Sequence, residues 1–381
     1  MTACPRGGLV AVVSAYSAAD FPGGAERLAW EEVRLLAPER PVVFVNTSAV
    51  APAPFTQVRI GAWLRRLHDP RTGASSPFAK ALFHGLLPFN PVAFIEALAV
   101  FRRLRPSVVH THNLVGLSPS VWLAARLAGA RVVHTHHDLS LLCQRATMTR
   151  KDGYPCGQRS AVCAVCRATR VVKRAQTPLL ARELFPSRWL RARLGRSGEI
   201  VRPFASVPPP VEPPDVFSVL FLGRLTPSKG VAVLLEAVSR AGVTLTVAGE
   251  GPLEPAVRAA QGVTFAGFAD DQARARLLAQ AGVVVIPSVG PEVAPLVFFE
   301  AFAAGVPAIL SDVGGLSELA EFGSAILVPA GNAEALAEAL RGLAADPAHR
   351  DRLRVAALAR RDEVSAERFR DEVLRTLGEE R

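Results

Sequence analysis

The run Phe221-Leu222-Gly223-Arg224-Leu225-Thr226-Pro227-Ser228-Lys229-Gly230 reads as an apolar strand ending on glycine, a turn, and a helix start. The same grammar recurs on both sides of it. Upstream, strands are predicted at Leu9–Ser14, Pro41–Asn46, Ser107–His112 and Arg131–Thr135. The series that begins with Val216–Gly223 continues at Thr244–Ala248, Val263–Ala266, Gly282–Pro287 and Ala308–Ser311. Helical patterns lie between them, among them Ala25–Leu36, Val92–Arg103, Ser118–Ala128, Gly230–Ala241, Ala273–Ala281 and Leu296–Ala304. Unbroken apolar strands alternating with helices predict parallel sheets covered on both faces. The densest proline cluster, residues 206–214, is a stiff extended connection rather than helix or sheet. It divides the chain into two doubly wound α/β domains, 1–205 and 215–350, facing across a cleft. Residues 351–381 read as a charged helical tail. Ligands of such folds bind at the carboxyl ends of the strands.

Half of the 381 residues are hydrophobic and 20% are charged, which permits a large core and excludes global disorder. The 30 prolines and 29 glycines have no collagen period, and five cysteines are too few for a disulfide scaffold. The net charge of +10 is uneven: residues 1–200 carry 27 Lys or Arg against 11 Asp or Glu. The basic half suits an anionic partner such as a phospholipid surface, a lipid pyrophosphate, an acidic glycan or nucleic acid; the alternative is a solvated Arg-rich face. No segment reads as membrane-spanning, since Leu82–Phe101 is interrupted by prolines, His84, Asn90 and Glu96. Leu9–Ala15 reads as a buried first strand rather than a signal sequence, so a cytoplasmic protein is expected, with room for peripheral attachment to a membrane's inner face.

Four stretches of the second half carry chemistry. Arg224 and Lys229 flank a strand-to-helix turn, where free N–H groups and two cations suit a pyrophosphate. The glycines of Val247-Ala248-Gly249-Glu250-Gly251-Pro252 permit positive φ and close backbone approach to a ligand, and the Phe265-Ala266-Gly267 turn offers backbone groups to a base. In Pro287-Ser288-Val289-Gly290-Pro291-Glu292-Val293-Ala294-Pro295-Leu296-Val297-Phe298-Phe299-Glu300, Pro295 opens a helix. Glu292 then lies in the preceding loop and Glu300 inside the helix, with the N–H groups of Leu296 and Val297 open to a phosphate between them. A carboxylate amid Phe298, Phe299, Ala301 and Phe302 is costly without a partner, which favours a functional Glu300.

Together, in this order, these stretches resemble the retaining glycosyltransferases of family 4, which have the GT-B fold. The resemblance is specific over Phe217–Leu319, including the turn Ser311–Glu318, and patchier in the first half. It implies that Arg224 and Lys229 bind the diphosphate of a nucleotide sugar. Glu300 would hold the ribose, and Glu292 the donor sugar. Ala294-Pro295 stand where the family commonly has Phe-Gly. Gly23 and Gly24 resemble the family's N-terminal glycine loop, and His137-Asp138 its His-Asp pair, which places His137 at the donor sugar. The implied reaction transfers a sugar to a hydroxyl of a glycan or lipid-linked acceptor with retained configuration. The departing phosphate takes the acceptor proton, and fixed cations, with no cofactor, serve the chemical step. His112 is a second cleft candidate, whereas His110, His134 and His136 read as hydrogen-bonded strand-end residues.

Cys143, Cys156, Cys163 and Cys166 cluster in an insert at residues 143–166, and a similar Cys-rich insert is implied for a subset of the family. In a cytosolic chain such a cluster favours structural zinc, with free or redox-active thiols and an iron–sulfur cluster as alternatives. Gly61–Arg66, Arg71, Phe78, Lys80 and Phe83 form a basic apolar segment that suits an acidic membrane, or equally a core helix with snorkelling arginines. Competing readings are a nucleotide-sugar epimerase of the same fold and a non-catalytic polyanion-binding protein. Nucleic acid is not the partner this pattern favours.

Overall fold

The computed structural model describes residues 8–18, 23–48, 52–67, 76–144, 146–150, 152–156, 162–205 and 216–378, with only the backbone of Arg65, Arg66, Val162 and Cys163. The proline cluster at 206–214 and Arg71 lie outside the described residues.

Two all-parallel sheets form. The first joins β1 (Val10–Val13), β2 (Val42–Asn46), β3 (Thr56–Arg59), β4 (Val108–Thr111), β5 (Arg131–Thr135), β6 (Arg182–Phe185) and β7 (Glu199–Ile200), in the order β3-β2-β1-β4-β5-β6-β7. The second joins β8 (Ser218–Leu222), β9 (Thr244–Ala248), β10 (Val263–Gly267), β11 (Val283–Ile286), β12 (Ala308–Ser311) and β13 (Ala325–Val328), in the order β10-β9-β8-β11-β12-β13. In each, the order reverses beside the first strand, which opens a crevice at the carboxyl ends. β1 shows why these runs are apolar throughout. Ala11 and Val13 pack into one core, while Val10 and Val12 pack into the core on the opposite face.

The helices of the first unit are α1 (Gly24–Leu36), α2 (Leu64–Leu67), α3 (Pro77–Leu86), α4 (Pro91–Leu104), α5 (Ser120–Leu127), α6 (Val162–Ala175) and α7 (Arg188–Leu194). Those of the second are α8 (Val231–Ala241), α9 (Glu254–Ala259), α10 (Asp271–Ala279), α11 (Leu296–Ala304), α12 (Leu316–Leu319) and α13 (Ala333–Ala345). Among the described residues no single helix is long and apolar enough to cross a membrane. The pair α3–α4 passes by length and composition only, bent by 53°. Ala93, Ala97 and Phe101 sink α4 into the core.

The tail divides between the units. On α14 (Pro347–Ala359), Leu353 and Ala357 join the cores of the second sheet. On α15 (Ala366–Thr376), Phe369 and Val373 join Val10, Val12 and Leu28 of the first. Where the chain crosses back, Ala205 N–H donates to the Val364 carbonyl at 3.0 Å, and Arg368 donates to the Arg202 carbonyl at 2.7 Å.

Further contacts bridge the units. Glu318 accepts from the Arg188 N–H at 3.0 Å and from the Trp189 N–H, so a carboxylate caps the first turn of α7. Among the described residues of the Cys-bearing insert, Thr149 and Pro155 form an isolated antiparallel bridge. Gly153 there lies so close to Pro227 and Ser228 that a Cβ would overlap their backbone, and its carbonyl lies against Gly290.

Phe369 is 2% exposed and packs on Phe204 with ring centroids 4.8 Å apart. Phe369→Ala should cost the first unit about 3–5 kcal/mol. Amide exchange would report this as lost protection in β1 and β4. Unchanged protection there would mean that α15 is not part of that core.

Candidate functional site

The site assembles where the first turn of α1 meets the second unit. Gly24 lies against the Leu296 side chain, close enough that an added Cβ would be 3.8 Å from it. Two residues on, Glu26 is 3% exposed and accepts from Asn113 Nδ2 at 2.6 Å. Burial pushes its carboxyl above the ordinary range, partly offset by that amide, while Asp138 and Arg224 act on it from opposite sides of the charge balance. Arg27 then reaches α11, where Nη1 donates to Glu300 Oε1 at 3.1 Å and Nη2 to Asp271 at 2.8 Å. Arg274 of α10 binds the other Glu300 oxygen.

Glu300 is therefore satisfied between two guanidiniums, as a largely shielded carboxylate on an apolar helix requires. Glu292 sits in the loop before α11. Its Oε1 accepts from Lys229 Nζ at 2.6 Å and from Ser288 Oγ at 2.7 Å. Its backbone carbonyl accepts from Gly315 N–H at 2.7 Å, and Gly314 is packed so tightly on it that a Cβ would overlap. Thus the Ser311–Glu318 turn fixes the Glu292 loop. Helix α11 begins at Leu296 with Pro295 as its cap, and no cap side chain closes its N-terminus. The N–H groups of Leu296 and Val297 stand at this open end.

Arg224 is exposed at the carboxyl end of β8, and its guanidinium bonds to no described residue. Lys229 lies at the end of a 3₁₀ turn, just before α8. Gly249 and Gly251 have φ of +145° and +152°. What crowds them is the chain itself: a Cβ would overlap the Gly223 and Leu225 carbonyls. The positive φ expected from the sequence is thus present, and packing against the Arg224 turn adds a second reason for glycine at both positions. Gly267 ends β10 with nothing near its Cβ position, and Phe268 beside it is 56% exposed.

On the first unit, His137 follows β5 and lines a cavity of about 200 Å³ with Asn113, Asp138 and Lys173. Burial holds the His137 imidazole well below its ordinary value, and the neighbouring imidazoles His112 and His110 act in the same direction. The three histidines read as strand-end residues are all buried and bonded. His110 meets Glu32 at 2.6 Å, His134 meets Thr111 at 2.8 Å, and His136 meets Glu183 at 2.9 Å.

The structure brings Arg224, Lys229, Glu292, Glu300, Gly24 and Leu296 around one junction. It adds Glu26, Arg27, Asn113, Arg274 and Ser288, which sequence reasoning missed. The need of Glu300 for a cation was legible; the identity of Arg27, 273 positions away, was not. The zinc expectation gains no support. Cys143, Cys156 and Cys166 do not form a group within metal-ligand reach, and the Cys163 side chain lies outside the described residues. Among the described residues the group of that kind is Glu32, His110 and His112.

A family model for Glycosyltransferase Family 4 matches residues 22–213, and one for Glycosyl transferases group 1 matches residues 216–346. Phosphatidyl-myo-inositol mannosyltransferase of Mycobacterium leprae is 36% identical over 146 residues, 35% of this chain and 39% of that protein. Glycogen synthase of Mycobacterium tuberculosis is 29% identical over 277 residues, 67% of this chain and 64% of that protein. The match thus spans about two fifths of the length of the mannosyltransferases. Two solved structures share the fold. Sucrose-phosphate synthase from Thermosynechococcus elongatus aligns with TM-score 0.74 and 21% identity, covering 97% of this chain and 98% of that one. HepE of Anabaena, in complex with UDP and glucose, aligns with TM-score 0.73 and 16% identity, covering 98% and 100%. With half of its length matched by the family model and two facing parallel-sheet units in the GT-B arrangement, the chain belongs to glycosyltransferase family 4.

Proposed function

We propose that this chain is a retaining glycosyltransferase that moves a sugar from a nucleoside-diphosphate sugar to a hydroxyl of a glycan or lipid-linked acceptor. The observation that carries this reading is the first turn of α1. It lies against Leu296 through Gly24, within electrostatic reach of Arg224 through Glu26, and on Glu300 through Arg27. A diphosphate at this junction meets the Arg224 guanidinium, Lys229 and the open N-terminus of α11. Glu300 takes the ribose hydroxyls, exchanging part of its Arg27 contact for them. Glu292, held by Lys229 and Ser288, takes hydroxyls of the sugar, and His137 faces the sugar from the first unit.

In the reaction the bond from sugar C1 to the phosphate oxygen breaks. A bond from C1 to the acceptor oxygen forms on the same face, and the acceptor proton passes to the departing phosphate. Arg224 and Lys229 stabilise the charge that develops on that phosphate. An enzymatic nucleophile would need an uncommitted carboxylate, whereas Glu292 and Glu300 are each bound by two partners. This favours the front-face route over a two-carboxylate scheme.

The acceptor side has an apolar and basic exterior. Phe78 and Leu82 stand exposed four residues apart on α3, and Val92 and Ile95 three apart on α4. Gln176, just beyond α6, donates to the Pro88 carbonyl at 2.9 Å and so ties the exposed Val171 and Val172 end of α6 to that bend. Arg102, Arg103 and Arg105 lie on or just beyond the last turn of α4. Such a face suits an acidic membrane leaflet carrying a lipid-linked acceptor, with the chain peripheral on the cytoplasmic side.

A thermal-shift screen against UDP-, GDP-, ADP- and dTDP-sugars tests the donor. A ligand at one hundred times its Kd adds about 2.7 kcal/mol to stability and raises Tm. Silence across the whole set would remove the transferase reading, and release of a free altered sugar would replace it with an epimerase. Arg224→Ala should lower kcat/KM about 10²–10³-fold at unchanged Tm, because the side chain is exposed and supports no contact in the apo fold. Flotation with phosphatidylserine vesicles should carry the chain upward at low salt, and Phe78→Ser with Ile95→Ser should release it. No flotation of the native chain would dismiss the membrane face.

A further inference from the structure

The buried centre of the first unit holds a connected chain of ionisable side chains that the proposed chemistry does not use. Glu32, on α1, is 1% exposed. Its Oε1 lies 2.6 Å from His110 Nδ1, and its Oε2 lies 3.2 Å from His112 Nε2. The 3.2 Å approach of that Oε2 and Nε2 is not aligned as a hydrogen bond, neither atom has a hydrogen-bond partner, and both are sealed from solvent, so each is the polar neighbour the other has. Burial alone would push the Glu32 carboxyl up, but the two imidazoles more than offset this and hold it well below the carboxylate range. The chain then continues outward: His112 Nδ1 lies 2.9 Å from His137 Nε2, with the two rings stacked at 5.2 Å.

Three ligand atoms this close also invite a metal reading, which the distances oppose. Zinc bound at roughly 2.0–2.2 Å sets tetrahedral neighbours roughly 3.3 Å apart. A separation of 2.6 Å between Glu32 and His110 is instead that of a charge-assisted hydrogen bond.

Proton placement along the chain follows from charge. A buried carboxylate oxygen 3.2 Å away favours an N–H over a lone pair facing it, so His112 carries its proton on Nε2. Burial keeps His112 neutral, which leaves its Nδ1 bare. His137 Nε2 must then be the donor to it, and the His137 proton is fixed there. The remaining ring nitrogen, Nδ1, is an acceptor that bonds to no described residue.

We propose that Glu32, acting through His112, is a positioning residue that holds His137 as a neutral imidazole protonated on Nε2, with Nδ1 presented as an acceptor for a hydroxyl of the donor sugar. This rests on the transferase reading only for the identity of the hydroxyl. The logic parallels a buried carboxylate that selects the tautomer of a catalytic imidazole elsewhere. In Glu32→Gln, the amide oxygen stays with His110 at the short contact, and the amide NH₂ faces His112. His112 then accepts at Nε2, donates from Nδ1, and forces the His137 proton onto Nδ1.

Nitrogen-15 NMR of the histidine rings in the full chain tests this directly. The native protein should show His137 protonated on Nε2 alone, and Glu32→Gln should show it protonated on Nδ1. The variant should lose about tenfold in kcat, the worth of one misdirected hydrogen bond, while its affinity for the nucleoside diphosphate alone is unchanged. A native His137 protonated on Nδ1 or on both nitrogens overturns the proposal, and this measurement needs no variant to fold. A folded Glu32→Gln that keeps the native tautomer overturns it as well. If the native chain turns over no nucleotide sugar, the transferase reading fails while the native tautomer still decides the relay.

Discussion

A half-buried carboxylate on an apolar helix is best held by cations, and Glu300 is where the two halves of this molecule meet that demand. Its helix buries Val297, Phe298, Phe299, Ala301 and Phe302, so the acid has little water to fall back on. One guanidinium comes from the same unit, Arg274, and the other comes from the opposite unit, Arg27. The Arg27 and Glu300 side chains are 25% and 12% exposed, so the pair is largely but not wholly shielded from water. The Arg27 bond therefore holds the first turn of α1 on α11, and with it Gly24 on Leu296 and Glu26 towards Arg224. A ligand that recruits Glu300 has to return comparable hydrogen bonds, which hydroxyl pairs on a ribose can do.

The same economy of charge runs through the first unit. Five histidines end β4 and β5 or follow them directly, yet burial and mutual repulsion keep His112, His134 and His137 neutral. Two acids set the direction of their hydrogen bonds. Glu183 orders His136 and is itself gripped by Arg196, while Glu32 orders His110 and His112. The surface charge of this half is thus separate from its interior, where protons rather than net charges are placed.

The fold was legible because the central strands are covered on both faces. β1, β4, β5, β8, β9, β11 and β12 are short apolar runs that periodicity finds. The strands that sequence reasoning missed are β3, β6, β7 and β13. Three of these are sheet edges, where one side lacks a neighbour and the pattern loses its apolar continuity. In β6 the run Arg182-Glu183 hides a strand because Glu183 serves His136 and Arg196. The site was half legible for a related reason. Arg224, Lys229, Glu292 and Glu300 sit in contiguous motifs, whereas Arg27, Arg274 and Asn113 gain meaning only through tertiary neighbours. The glycines at 249 and 251 adopt the positive φ the sequence suggested, and the peptide groups of the preceding turn that crowd them are a tertiary detail it did not show.

The return of α15 to the first sheet has a consequence for biosynthesis. Domains generally condense in order of emergence from the ribosome, the amino-terminal one first. Here Val10, Val12 and Leu28 await Phe369 and Val373, which are translated only after the whole second unit. The first-born half must therefore wait, its apolar flank uncovered, until its last-born helix arrives. Quality-control factors that read exposed hydrophobic surface would see that flank throughout elongation.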